Sequence, residues 1–189
     1  MSKISLYTPD TTPTVDDLLV GTEASTGDTK NYLISDILDL QDNSPTGRFY
    51  STQNQNGSTV TPAAITFNTT DTAVTSNFSV VSNSRITAAV AGVYNFYYSV
   101  SLRNSVTTAT GSFWLKKNGV DIATSGIIIA ITATSIETFG SANYSISLAA
   151  GDYVEMYWMA TNSSTQLFYN SSVQSGPASP SATLIINTL

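Results

Sequence analysis

Ala91-Gly92-Val93-Tyr94-Asn95-Phe96-Tyr97-Tyr98-Ser99-Val100-Ser101-Leu102 is the stretch on which the fold turns. After the glycine, Tyr94, Phe96, Tyr98, Val100 and Leu102 fall on one face, and Val93, Asn95, Ser99 and Ser101 on the other. Period-two alternation in a run of aromatic and β-branched residues predicts a half-buried antiparallel strand. Burying five such side chains contributes roughly 1.5–3 kcal/mol each before the entropy of ordering them is counted. Tyr97 alone breaks the pattern, setting a large ring on the otherwise polar face. Such a strand predicts a sandwich and leaves function to its surroundings.

Outward from this stretch, short strands separated by turn residues are expected near Phe49–Thr52, Ile65–Phe67, Phe78–Val81, Ile86–Ala88, Ser112–Lys117, Ile127–Thr132, Thr134–Leu148, Asp152–Thr161 and Ala182–Thr188. Many short strands spaced by glycine and polar turns indicate an all-β sandwich of jelly-roll or Ig type. Lys117-Asn118-Gly119-Val120 predicts a tight hairpin turn, because Asn-Gly readily takes the positive φ it needs. Along Tyr153–Met159 one face is Val154, Met156 and Trp158, and the other is Tyr153, Glu155, Tyr157 and Met159. Bulk on both sides predicts a core on one and an interface on the other.

Composition narrows the chemistry. The 189 residues give room for one sizeable domain and an extension. They include no cysteine and no histidine, which excludes disulfides, thiolate or imidazole metal sites and every His-dependent nucleophile. The net charge of −6 is lopsided. Residues 1–45 hold eight acids (Asp10, Asp16, Asp17, Glu23, Asp28, Asp36, Asp39, Asp42) against Lys3 and Lys30, whereas the remainder balances five acids with five bases. No basic patch exists to neutralise phosphates, so nucleic acid is not an expected partner. The acidic segment serves either solubility or docking onto a basic surface. Met1–Leu6 lacks the long apolar core of a signal peptide, and no run of about 18 apolar residues suggests a membrane span, so synthesis in the cytoplasm and a soluble product are expected.

Residues 1–45 read as a separate segment. A proline-punctuated arm (Thr8–Thr14) precedes Asp17-Leu18-Leu19-Val20-Gly21-Thr22; Thr26-Gly27-Asp28 turns the chain, and Thr29–Ile34 returns as a strand. Ser35-Asp36-Ile37-Leu38-Asp39-Leu40 has a helix-start pattern, with Ser35 as N-cap and Asp36 against the helix dipole. A two-stranded hairpin is marginal in water by itself. Its apolar residues, Leu18, Leu19, Val20, Leu33, Ile34, Ile37, Leu38 and Leu40, must therefore pack on copies of themselves, on another protein or on the chain's own sandwich. Gln41–Gly47 reads as a linker.

The sandwich segment resembles the C1q/TNF-like jelly roll. The likeness is carried by Ile65-x-Phe67, Ser84-Arg85-Ile86-Thr87, Ala91-Gly92-Val93-Tyr94-x-Phe96, Trp114-Leu115-Lys116-Lys117-Asn118-Gly119, Leu148-x-Ala150-Gly151-Asp152-Tyr153-Val154-Glu155 and Pro180-Ser181-Ala182-Thr183-Leu184. The Trp114–Gly119 strand is especially similar to jelly rolls of bacteriophage virion proteins. Separately, Asp17–Thr22, Thr29–Tyr32 and Ile34–Ile37 resemble a segment at the start of phage fibre and appendage proteins, where it attaches the appendage to the particle. The resemblance implies a homotrimer packed around a threefold axis, with Tyr94, Phe96, Tyr98, Tyr153, Tyr157 and Met159 as interface candidates. Alternation does not settle which face meets the axis, because a one-residue error swaps them. The collagen-like or coiled-coil stalk of that family is absent, which favours a squat particle.

The implied architecture is an attachment segment at 1–45, a small hairpin and short helix, followed by a trimerising jelly roll at 46–189. The implied role is a non-enzymatic virion structural protein, a capsid decoration or short head fibre on the virion surface. Leu18, Leu19, Val20, Tyr32, Ile34, Ile37 and Leu38 would contact capsid or other virion proteins. No cofactor, no metal, no nucleic acid and no membrane is expected. The alternative is a receptor- or glycan-binding tip of a tail or collar fibre. A hydrolase would draw on a carboxylate pair, Asp152 with Glu155 or Asp16 with Asp17. No dense Asp and Asn run at calcium-loop spacing is present. The Asn-x-Ser/Thr matches at Asn56, Asn68, Asn77, Asn143, Asn162 and Asn170 are expected by chance. Phe168 and Tyr169 are candidates for stacking on a sugar ring or for filling a crevice.

Overall fold

A computed structural model describes residues 14, 16–34, 44–106, 108–172 and 175–189, and the chain divides into two units, Met1–Ser44 and Pro45–Leu189. In the first, β1 (Leu18–Thr22) and β2 (Thr29–Leu33) pair antiparallel with Leu19 opposite Tyr32 and Val20 opposite Asn31. The reversal takes Gly27 to φ 77°, a left-handed conformation that costs glycine no Cβ clash. Backbone bonds from Glu23 N to Asp28 O (2.9 Å) and from Gly27 N to Glu23 O (2.8 Å) close it. The expected turn of helix at 35–40, with Ile37 and Leu38, lies outside the described residues, as do Gln41, Asp42 and Asn43 of the expected linker.

The second unit contains β3 (Thr46–Ser51), β4 (Gln55–Asn56), β5 (Ala63–Ala64), β6 (Thr69–Thr70), β7 (Phe78–Val81), β8 (Arg85–Ala88) and β9 (Gly92–Asn104). It continues with β10 (Ala109–Lys117), β11 (Val120–Asp121), β12 (Ile127–Ile131), β13 (Thr138–Leu148), β14 (Tyr153–Ala160), β15 (Thr165–Leu167) and β16 (Ala182–Thr188). Two sheets result. One runs β4-β15-β9-β16-β3-β6, with β13 on the other edge of β9; the other runs β11-β10-β14-β8-β7, with β12 on β10 and β5 on β14. All pairings are antiparallel, and the sheets enclose one core.

The predicted alternation of β9 is realised. Tyr94, Phe96, Tyr98, Val100 and Leu102 are all buried, and they meet Val154, Met156 and Trp158 of β14 and Phe113 and Leu115 of β10 within that core. Trp158 stacks on Phe113 with centroids 5.8 Å apart and planes 6° from parallel. Phe78 meets Tyr94 edge-on at 4.9 Å. Neither buried phenol is left without an acceptor: Tyr94 Oη donates to Val90 O at 2.7 Å and Tyr98 Oη to Ser125 O at 3.4 Å.

Several expectations need correction. Ile65–Phe67 is not a strand. Its backbone makes single bonds to Met156 O and Asn83 O, while Ile65 and Phe67 plug the core. Thr46 and Gly47 open β3 rather than belonging to a linker. The strand expected from Thr134 starts at Thr138. The Asn-Gly turn holds, with Asn118 at φ 50° and Gly119 at φ 81°.

Candidate functional site

The outward face of the β3-β16-β9-β13 sheet is built by register. Tyr97 stands between Ile185 of β16 and Asn143 of β13, with Arg48 of β3 beyond Ile185. The next row sets Ser99 between Thr183 and Ser141, and another sets Asn95 between Asn187 and Ser145. Val93 pairs with Ser147 and Ser101 with Phe139 at the two ends. Across the rows from Val93 to Ser101 this face carries no charged side chain on β9, β13 or β16; Arg103 stands on the same face at the far end of β9. Its large apolar groups stay open to solvent in the single chain: Tyr97 is 40% exposed, Val93 47% and Phe139 62%. Arg48, at its margin, is engaged by Asp71 at 3.4 Å.

The outward face of the other sheet has a different chemistry. Lys116 sits opposite both Glu155 and Asp121. It pairs with Asp121 at 3.4 Å and lies 4.3 Å from the centre of the Tyr157 ring. Arg85 pairs with Glu155 at 3.5 Å and lies 4.7 Å over Tyr153. Trp114 donates Nε1–H to Asp121 at 2.7 Å. Charges here answer one another across the strands, the arrangement of a solvated surface.

The six expected interface residues therefore do not form one patch. Tyr94, Phe96 and Tyr98 face the core of their own chain and have no surface to offer a neighbour. Tyr153, Tyr157 and Met159 lie on the outward face of the opposite sheet, because the pleat turns Val154, Met156 and Trp158 inward. Tyr97, the one irregularity of the central strand, is the aromatic of β9 that remains available.

In the N-terminal unit Leu18, Leu19, Val20 and Leu33 are exposed, while Tyr32 and Ile34 are half-buried. The hairpin thus presents aliphatic side chains on both of its faces. Lys30 and Glu23 form an ion pair at its turn end, and together with the Thr26 hydroxyl this lowers the Glu23 pKa.

The carboxylates proposed as an acid–base pair have structural partners instead. Asp152 accepts from Ala149 N at 2.8 Å and from Asn118 Nδ2 at 2.7 Å, and pairs with Lys117 Nζ at 2.8 Å. Lys117 first, then Asn118 and the Ala149 amide, hold its carboxyl far below the usual carboxylate range. Such a group stays ionised and cannot donate a proton near neutrality. Glu155, expected at an interface or in solvent, is 5% exposed, with Ser84 Oγ donating to it at 2.9 Å. Sequence spacing does not show this, since Ser84 lies 71 residues away. Among the described residues no group of three or more His, Cys, Asp or Glu side chains is placed to hold a metal ion, and no helix is long and apolar enough to cross a membrane.

Fold and site define an all-β sandwich of the C1q/TNF-like jelly-roll kind. A solved structure of Eiger TNF from S. frugiperda superposes with a TM-score of 0.53 at 11% identity, covering 77% of this chain and 92% of that one. Murine APRIL superposes with a TM-score of 0.52 at 11% identity, covering 76% and 98%. The globular domain of zebrafish complement 1qA aligns over 77% and 97% at 15% identity, with a TM-score of 0.49. No family model matches the sequence, and neither does any curated protein. At these identities the likeness is one of fold.

Proposed function

We propose that the chain is a non-enzymatic structural protein of a bacteriophage virion. It is a homotrimer, displayed as a capsid decoration or short head fibre and held to the shell through residues 1–45. The observation that carries this is the outward face of β9, β13 and β16, free of charge from Val93 to Ser101, with Tyr97 at its middle. Residues beside a symmetry axis meet their own copies, so charges there would repel, and interface cores are accordingly depleted in charge and enriched in tyrosine. The paired charges on the opposite sheet suit the solvent side of the assembly.

Attachment falls to the hairpin. Its exposed Leu18, Leu19 and Val20, together with Tyr32 and Ile34, provide apolar contact area on a segment rich in acids, suited to a shell surface with apolar grooves and basic rims. Three copies on one trimer multiply a weak individual contact. The test has two arms. The full chain should sediment at three times the 20.0 kDa of one chain. Chain lacking residues 1–45 should keep that trimeric state and lose binding to undecorated particles. A truncated protein that still decorates particles sinks the attachment role, and a monomeric full chain sinks the trimer.

A further inference from the structure

Where β13 ends its pairing with β9 at the Leu102–Thr138 pair, β9 continues for two residues against β15, Arg103 opposite Gln166 and Asn104 opposite Thr165. Beside these last residues of β9 lies a cavity of about 280 Å³, lined by Arg103, Asn104, Ser105, Ser135, Ser164 and Phe168 among others. The loop that closes it is fixed to the strand: Ser135, at φ 61°, donates its amide to Asn104 O at 2.8 Å.

Two features mark this cavity. The first is charge. Of the five bases in residues 45–189, Arg48, Arg85, Lys116 and Lys117 are paired with Asp71, Glu155, Asp121 and Asp152. Among the described residues Arg103 has no carboxylate partner; its guanidinium lies 4.7 Å over the Phe168 ring. The remaining acid, Glu137, accepts instead from Asn170 Nδ2 at 2.9 Å. The second is an orphaned donor. Asn104 is 1% exposed, and its Oδ1 accepts from the Val106 amide at 3.3 Å, which fixes the side-chain orientation. Its Nδ2 has no hydrogen-bond partner among the described residues. Buried polar groups left so are uncommon and costly, and a ligand atom is one way of satisfying them.

A guanidinium over an aromatic ring and without a carboxylate partner among the described residues presents a fork for a carboxylate. A primary amide and three serine hydroxyls among the lining residues add donors and acceptors. The cavity is roughly nine times the ~30 Å³ share of one water, far too large for a bare carboxylate ion and suited to one hexose-sized ring. We infer that this pocket binds an acidic monosaccharide unit, its carboxylate on Arg103 and its ring hydroxyls on Asn104 and the serines. The site belongs to a single chain and does not depend on the virion role or on trimerisation.

The probe is sodium glucuronate, titrated calorimetrically and by amide NMR into the full chain, with glucose and sodium acetate in parallel. Saturable glucuronate binding is expected, with glucose and acetate at least about tenfold weaker, since a charge-assisted pair and a set of hydroxyl bonds are each lost. Arg103→Gln should weaken glucuronate at least about tenfold. Ser164→Ala, a change too small to unfold the loop, should weaken it measurably, and shifts should centre on residues 103–105 and 164–168. Equal affinity for acetate overturns the sugar assignment. Absence of saturable glucuronate binding, or unchanged binding by both variants, overturns the site.

Discussion

Replacing Tyr97 by glutamate tests the assembly face most directly. In one chain Tyr97 keeps 40% of its surface open. For a side chain of about 200 Å² that is ~80 Å², or ~2 kcal/mol per chain at ~25 cal/mol per Å² if assembly buries it. Three chains lose about 6 kcal/mol, a factor of about ten thousand in the association constant, and three carboxylates facing one axis add repulsion. Folding should survive, because the side chain projects from the sheet away from the core; circular dichroism and the urea midpoint check that. Sedimentation velocity at micromolar concentration should then find monomer for Tyr97→Glu and trimer for the parent. The control is Tyr157→Glu, on the outward face of the opposite sheet and beside Lys116, which should remain trimeric. If Tyr97→Glu keeps the parent mass while Tyr157→Glu dissociates, the axis lies on the β14 side and the choice of face is wrong.

Other outcomes concern the fold itself. Trp158→Ala removes a ring that is 1% exposed and stacked on Phe113, so urea unfolding should show a loss of about 3–5 kcal/mol; a loss below about 1 kcal/mol would mean the ring is not close-packed. Asp152 has a folded pKa below its unfolded value, so its contribution is present at neutral pH and is withdrawn as the pH falls below about 4. Asp152→Asn should therefore lower the urea midpoint at pH 7 and differ less from the parent at pH 3; an equal gap at both pH values contradicts the Lys117–Asp152 account. Burial pushes the Tyr98 phenol up to about 12, so its stabilisation is full below pH 10 and is lost as the pH rises toward 12. Burial also raises Tyr94, so ultraviolet titration should find one fewer late-ionising tyrosine in Tyr98→Phe than in the parent.

Much of this fold was legible because β9, β14 and the Asn118-Gly119 turn are local signals: alternation and a φ preference need no knowledge of distant residues. What alternation cannot say is which side of a strand meets the second sheet, and β9 has tyrosine on both. Tyr94, Phe96 and Tyr98 were thus expected between subunits when they form the core, and Tyr97 holds the outer position. Ile65-x-Phe67 has the pattern of a strand, yet its burial comes from plugging the sandwich rather than from a ladder. β4 and β15, with Gln55, Asn56 and Gln166 and only Leu167 apolar, carry little apolar signal and form because longer strands leave them an open edge. Glu155 and the Arg103 cavity were hidden for a common reason. Whether a charge is paired depends on Ser84 and Arg85 in one case, and on five distributed acids in the other, and sequence order does not bring these together.

The place of β16 has a consequence for how the chain comes into being. Residues 182–188 lie between β9 and β3, hydrogen-bonded to both. During translation β3 is made early and β9 midway, and neither can reach the other directly, since the strand that joins them is synthesised after all the rest of the sandwich. Until then β9 offers a long unpaired edge and the core beneath it lacks Leu184 and Ile186. The sheet therefore closes after synthesis of its last strand rather than stepwise from the ribosome, as expected of folds built on distant pairings. A nascent chain arrested before residue 182 should remain open to protease along β3 and β9, and it is in that interval that neighbouring chains have free edges to exchange.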